Sequence, residues 1–315
     1  MGKQMDRIKR FFHNPWRVFY KFNSSSISHI LPDEIFLKLM FRARLGEKLD
    51  LNNPKTFNEK LQWLKLHDRN PEYSNLVDKY EVREYVKECI GEQYLIPLYG
   101  VWNSFDEIDF DSLPNEFVLK CTHDSGSVII CKDKSKFDFD SARKQFNKAM
   151  KQNFYYRGRE WPYKNVRPRI IAEKYMTEHG NEIRDYKYFC FNQNPEFLYV
   201  SEGLSGHDHA RISFFDLEGK KLEFHRSDFI EMSEKEIQLE TLQEMRKLSE
   251  SIASLIKVPF VRTDFYTVDN KVFFSEITFF PCDGMMPFSP KEWDDKLGKL
   301  IAIPEEMGGG VLDSR

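Results

Sequence analysis

The stretch FVRTDFYTVDNKVFFSEITF (residues 260–279) reads as two β-rich runs around a polar turn at Asp269-Asn270. Asp264 falls on the first strand and Glu276 on the second. With a three-residue loop, Asp269-Asn270-Lys271, position 264 stands opposite 276, and both carboxylates share a face with Arg262 and Thr278. A two-residue loop puts them on opposite faces. Facing carboxylates repel unless a cation lies between them. Mg²⁺ suits that place, as a hard ion that takes one or two carboxylates together with phosphate oxygens. Two charges on a solvated hairpin would give the same pattern, so the neighbouring segments have to decide.

The run EFVLKCTHDSGSVIICK (116–132) places Lys120 at the end of a strand whose Phe117, Val118 and Leu119 read as buried. A lysine there meets phosphate as a point charge. His123, Asp124, Ser125, Gly126 and Ser127 follow, and a Ser-Gly-Ser turn lets backbone N–H groups approach anionic oxygens. G-x-x-x-x-G-K-[ST] is absent, so this is not a Walker loop, and a plain hairpin is the competing reading. RDYKYFCFNQNPEFLYVSE (184–202) is a second hairpin, turning at Asn192 to Pro195. Its Asp185 and Lys187 share a face, either as an ion pair or with Lys187 as a second cation for a triphosphate. IIAEKYM (170–176) is an apolar strand ending in Glu173, with Lys174 and Tyr175 beyond. It offers backbone groups and one carboxylate to an adenine edge, or is simply an exposed strand end.

Further outward, 32–68 reads as two helices separated by Asn52-Asn53-Pro54, with Thr56 and Glu59 forming a capping box. Asp78 to Lys87 is another helix. Strands are expected at 116–120, 127–132 and 169–175, with a helix at about 139–152 carrying Ala142, Phe146 and Met150. A helix fills about 233–257. The sum is an α+β protein with antiparallel pairing.

The 315 residues are 41% hydrophobic and 31% charged with a net charge of −3, an ordinary globular composition with no bulk attraction for nucleic acid. The 28 Phe and 14 Tyr favour strands and aromatic cores. Cys89, Cys121, Cys131, Cys190 and Cys282 are odd in number and form no CxxC, which argues against a disulfide framework and a structural zinc site. No apolar run approaches a membrane span. Residues 1–22 are basic, with Met5, Ile8, Phe11 and Phe12 near helical spacing. They form either a segment lying on an anionic membrane surface or a helix docked on the protein body. Gly2 is present, but Asp6 stands where a myristoylation signal needs Ser or Thr.

Two stretches remain for a second substrate. SEGLSGHDHAR (201–211) holds His207, Asp208, His209 and Arg211, a set for an acidic sugar or a second metal, or else a polar surface loop, and FFPCDGMMPFSP (279–290), with Asp283, follows Glu276 and suits a substrate-side wall. YYRGREWPYK (155–164) is cationic and aromatic, a lid, a saccharide platform or an exposed loop.

The order of NPKTFNEKLQWLKL, DKYEVREYV, FVLKCTHDSGSVIICKD, IIAEKYM, DYKYFCFN, VRTDFY and FFSEITFFPCDG resembles the TupA-like branch of the ATP-grasp enzymes, over about residues 52–284. Each piece is unspecific alone, and their shared order carries the resemblance. It implies an ATP-grasp fold, two α+β lobes gripping ATP, preceded by a helical N-terminal region. The corresponding segments are 1–75, 76–175 for the first lobe and 176–315 for the second. By position, Lys120 and Lys187 would contact phosphates, with His123, Ser125, Gly126 and Ser127 folding over them. Glu173, Lys174 and Tyr175 would meet adenine. Asp264 and Glu276 would hold Mg²⁺, and Arg262 would stabilise the transferred phosphoryl group. Thr278 stands where many ATP-grasp enzymes have Asn. The implied reaction is ATP-dependent amide formation between an acid and an amine in bacterial surface-polysaccharide biosynthesis. The expected place is the cytoplasm, with residues 1–22 touching the inner face of the membrane if they bind it. Two other classes stay open. Asp109-Phe110-Asp111 and Asp138-Phe139-Asp140 have the DxD form of glycosyltransferases, though Asp138 suits a helix cap. A membrane-surface binding module would rest on residues 1–22 alone.

Overall fold

The computed structural model describes residues 19, 26–177, 183–203, 210–232 and 239–303. Two antiparallel sheets organise them. The first sheet joins β1 (Leu98–Trp102), β2 (Phe117–Cys121), β3 (Val128–Cys131) and β4 (Ile170–Lys174) in the order β1-β4-β2-β3. The second joins β5 (Asp185–Phe191), β6 (Asn194–Glu202), β7 (Arg211–Phe215), β9 (Phe260–Val268) and β10 (Lys271–Thr278) in the order β10-β9-β5-β6-β7. A short ladder pairs β8 (His225–Arg226) with β11 (Phe288–Ser289).

The helices are α1 (Asp33–Leu45), α2 (Phe57–His67), α3 (Tyr73–Val77), α4 (Val82–Cys89), α5 (Phe139–Ala149), α6 (Tyr155–Gly158), α7 (Leu239–Ile256) and α8 (Glu292–Gly298). α2 starts where its sequence says it should. Thr56 Oγ1 accepts from Glu59 N–H, and Glu59 Oε2 accepts from Thr56 N–H, both at 3.1 Å. The helix expected from Asp78 begins only at Val82, because Asp78 Oδ1 first accepts from Tyr80 N–H at 2.8 Å and turns the chain.

Period-two alternation gives each sheet two different faces. In the first sheet Phe117, Leu119, Cys121, Ile170 and Ala172 are buried against Ala142, Phe146 and Ala149 of α5. The opposite face carries Val118, Lys120, Val128, Ile171 and Glu173, as the pairings Val118↔Glu173, Lys120↔Ile171 and Lys120↔Val128 require. In the second sheet Tyr188, Thr263 and Phe265 face α7, where Tyr188 O–H donates to Leu242 O and Ser249 meets Thr263. Its other face is divided. Phe189, Phe191, Phe197 and Phe260 pack with Phe57 of α2 and one another. Asp185, Lys187, Asp264 and Glu276 remain uncovered by that packing and look toward the first sheet.

The closing hairpin corrects the expected loop. Val268 faces Lys271, so the turn has two residues, Asp269 and Asn270, both at positive φ (49° and 59°). By itself that turn would separate the carboxylates. A β-bulge at Ser275 restores the parity: Phe274 pairs with Phe265, and Glu276 pairs with Asp264. The two acids share a face, through a device other than the one expected.

The 155–164 stretch also differs from the expected lid, platform or exposed loop. Tyr155, Arg159 and Glu160 are buried. Arg159 Nη2 donates to Ser28 O at 2.6 Å, and its Nε pairs with Asp33 at 3.0 Å. The segment is a strap fastened to α1, since a buried arginine persists only where its charge and donors are met.

Candidate active site

A cleft of about 140 Å³ separates the two sheets. Lys120, Val128 and Glu173 line it from the first sheet, Ser125 and Gly126 from the β2–β3 turn, and Tyr266, Phe274, Ser275 and Glu276 from the second sheet. Lys79, Val82, Arg83 and Leu95 close one end. Leu95 also bridges to Phe274, tying that end to the edge of the second sheet.

On the first wall Lys120 Nζ donates to Glu173 Oε2 at 2.8 Å, and Arg83 pairs with Glu173 Oε1 at 3.3 Å. Burial works against the Lys120 charge, but Glu173 more than offsets it and raises the lysine pKa. The two residues that sequence reasoning assigned to phosphate and adenine are therefore partners in the structure. Lys79 was missed, although it lies in one of the stretches that carried the resemblance. Its Nζ donates to Asp124 O at 2.5 Å and its N–H to Thr122 O at 3.2 Å, so it holds the turn against the cleft. The signal for it was only its place beside Asp78.

The second wall is a row of charges. The pairings Lys187↔Asp264 and Asp264↔Glu276 set three strands side by side with these residues on one face. Lys187 Nζ donates to Asp264 Oδ2 at 2.7 Å and lies 3.5 Å from Asp185. Arg262 grips Asp264 with two bonds, Nε to Oδ1 at 2.7 Å and Nη2 to Oδ2 at 2.6 Å. The same Nη2 reaches Glu276 Oε1 at 3.2 Å. Thr278 O–H donates to Glu276 Oε1 at 3.2 Å and accepts from Arg262 at 3.1 Å. Asp264 is fully buried, whereas the Glu276 side chain keeps 31% of its surface exposed toward the cleft. Burial alone would raise the Glu276 carboxyl, but Lys187, Lys79 and Arg262 outweigh it and hold it down to about 2. Asp185 goes the other way, with burial outweighing Lys187 and raising its pKa.

Other expected site residues lie elsewhere. His123 does not cover the cleft: it is buried, its Nε2 3.1 Å from Ala149 O, because the chain turns it into the core of the first lobe. Ser127 bonds Asp124 within the turn. Lys174 is exposed at the end of β4, and Tyr175 beyond it lies under the Lys132 ammonium at 5.6 Å. Arg211 pairs with Glu202, away from the cleft. Asp283 accepts from Arg44 at 2.6 Å, and despite burial Arg44 and Lys65 keep its carboxyl below the usual range. His207 and His209 lie outside the described residues, as do residues 1–22 apart from Phe19. Among the described residues no helix is long and apolar enough to cross a membrane, and no three His, Cys, Asp or Glu cluster as a metal site. The DxD segments lie away from the cleft lining. Asp138 caps α5 by accepting from Ser141 N–H at 3.0 Å, and Phe110 and Phe139 pack edge to face.

A family model described as TupA-like ATPgrasp matches residues 59–302. No curated protein matches the chain. Solved structures that match include a D-alanine–D-alanine ligase from Bacillus anthracis complexed with ATP, at 14% identity and a TM-score of 0.42 over 70% of this chain and 62% of that one. A second such ligase, from Helicobacter pylori, shows 15% identity and a TM-score of 0.44 over 79% and 70%. An L-amino acid ligase from Bacillus licheniformis shows 12% identity and a TM-score of 0.41 over 72% and 49%. The chain thus spans less than two thirds of the first of these structures.

Proposed function

The chain belongs to the TupA-like ATP-grasp family, and on that footing we propose that it is an ATP-dependent ligase joining a carboxylate to an amine. The observation that carries the reading is the opposition of two charged walls. Lys120 and Glu173 stand on one sheet, and Lys187, Asp264 and Glu276 stand in register on the other. A triphosphate lying between them meets cations from both sides and from Lys79 at the end of the cleft.

The donor set suits Mg²⁺. Glu276 is ionised and partly open to the cleft, and Asp264 stands directly opposite it; both are hard carboxylates, with the Asp264 oxygens held by Arg262 and Lys187. When bound, the ion supplies neutralisation of the phosphate oxygens. The chain's own contribution is position and charge. The substrate carboxylate oxygen attacks the γ-phosphorus, ADP leaves, and the amine then displaces phosphate from the acyl phosphate to leave an amide. In this reading Lys120 and Lys187 hold the phosphates, exchanging part of their carboxylate pairing for them, and Arg262 follows the transferred group. The cleft is smaller than the roughly 300–1,000 Å³ of an ordinary small-molecule site. At the tip of the turn nothing stands within 4 Å of a Cβ added at Gly126, so the cleft is open there. The acid and amine we place in bacterial surface-polysaccharide synthesis, on the family resemblance.

The test is calorimetry of Mg·ATP with wild type and Glu276→Gln, followed by ADP release across a panel of acids and amines. Magnesium-dependent binding that the variant loses supports the reading. Binding of a nucleotide-sugar in place of ATP would overturn it in favour of a glycosyltransferase.

A further inference from the structure

Arg262 Nη2 carries two hydrogens but stands within bonding distance of three acceptors: Asp264 Oδ2 at 2.6 Å, Thr278 Oγ1 at 3.1 Å and Glu276 Oε1 at 3.2 Å. Its Nε binds Asp264 Oδ1 at 2.7 Å. The guanidinium therefore bridges the two carboxylates that the proposed function gives to Mg²⁺. Resting on that reading, we propose that Arg262 is a tethered stand-in for the metal. Without nucleotide it neutralises Asp264 and Glu276, and a divalent cation settles there only together with a triphosphate.

Charge, contact length and ligand chemistry support the exchange. Mg²⁺ gives up its water reluctantly, and here it must also displace a cation that the chain holds permanently in place. The local charge is a poor lure for it, since Asp185, Asp264 and Glu276 against Lys187 and Arg262 leave one negative charge. The Glu276 contact is the longest of the three and competes for the same two hydrogens, so it is the one that yields. A phosphate offers the guanidinium a bidentate anion in return. Lys187, 2.7 Å from Asp264, keeps that buried acid paired while Arg262 turns.

The experiment is titration of Mn²⁺ into the full chain, followed by electron paramagnetic resonance and calorimetry, alone and with β,γ-methylene-ATP. Wild type is expected to hold Mn²⁺ at least tenfold more tightly with the analogue than without it. Arg262→Met is expected to bind Mn²⁺ alone at least tenfold more tightly than wild type does. Circular dichroism reports whether the variant folds. Arg262→Lys, with a single ammonium unable to bridge both acids, is the second variant and should gain in the same direction. Equal Mn²⁺ affinity of wild type with and without the analogue, or a folded variant with no gain, overturns the proposal. If Glu276→Gln holds Mn²⁺ with the analogue as wild type does, the metal-site reading itself fails, whatever Arg262 does.

Discussion

Lys120 and Asp294 show how differently two charged side chains enter the same fold. Lys120 keeps 19% of its side chain exposed at the cleft, and Glu173 retains Arg83 if the lysine is removed. Lys120→Met is therefore expected to weaken Mg·ATP binding by about tenfold or more, roughly 1.4 kcal/mol, with melting shifted by only a few degrees. Calorimetry and thermal unfolding of the same sample check both. Asp294 is buried in the joint between α8 and α2, where it accepts from Asn58 N–H at 2.9 Å and Asn58 Nδ2 at 2.8 Å. Burial outweighs those bonds and raises its carboxyl to about 6. An acid raised on folding stabilises below its unfolded pKa, and that contribution is lost as pH rises through the folded value. Wild type should lose on the order of 2–3 kcal/mol from this group between about pH 4 and 6. In Asp294→Asn that part of the slope should vanish, as urea unfolding across the range would show. The buried role of Asp294 was not legible in the sequence, nor was the pairing of Lys120 with Glu173. Lys120 was found because a lysine ending an apolar strand is conspicuous, but its bond to Glu173 depends on two strands far apart in the chain.

Elements were legible where local rules decide them. The capping box at Thr56, the Asp138 cap and the strands flanking Lys120 needed only their own residues. β1 and β7 were not, since Gly100 breaks the apolar run of one and the other is a short run that directly follows the polar SGHDHA stretch. The Ser275 bulge was illegible for the same reason in reverse: nothing in VFFSEIT distinguishes a bulge from a regular strand, and only the partner strand reveals it. Its arithmetic is testable. Deleting Ser275 leaves Phe274 and Glu276 adjacent and still opposite Phe265 and Asp264, so Mg·ATP binding should survive with the strand straightened. Loss of binding in a folded deletion variant would show that the bend itself is needed. Helix packing gives a sharper outcome. A Cβ on Gly298 of α8 would come within 2.1 Å of Lys55 O and 2.7 Å of Thr56 C, backbone atoms that cannot swing aside. Gly298→Ala should cost about 1–3 kcal/mol or more in denaturant unfolding.

Across the whole molecule, ligand binding should register as stability. At a hundredfold excess over its dissociation constant, Mg·ATP adds about 2.7 kcal/mol to the folded state, a rise of a few degrees in melting temperature that Glu276→Gln should lack. The two sheets supply the walls, but α2 belongs to neither. It is locked to the far end of the chain: Asn58 to Asp294, Lys60 Nζ to Ile301 O at 2.8 Å, and Gln62 Nε2 to Gly284 O at 2.6 Å.

That joint sets a timetable on the ribosome. Asn58 and Asp294 are 236 positions apart, and Lys60 and Ile301 are 241 apart. At roughly 5–20 residues per second, α2 waits about 10–50 s for its partners to be translated. During that interval α2 lacks its partners from α8 and beyond, although Phe57 can meet Phe189, Phe191 and Phe260 once those strands are made. A synthesis halted before about residue 294 leaves the core around Phe57 begun but the joint between α2 and α8 unmade.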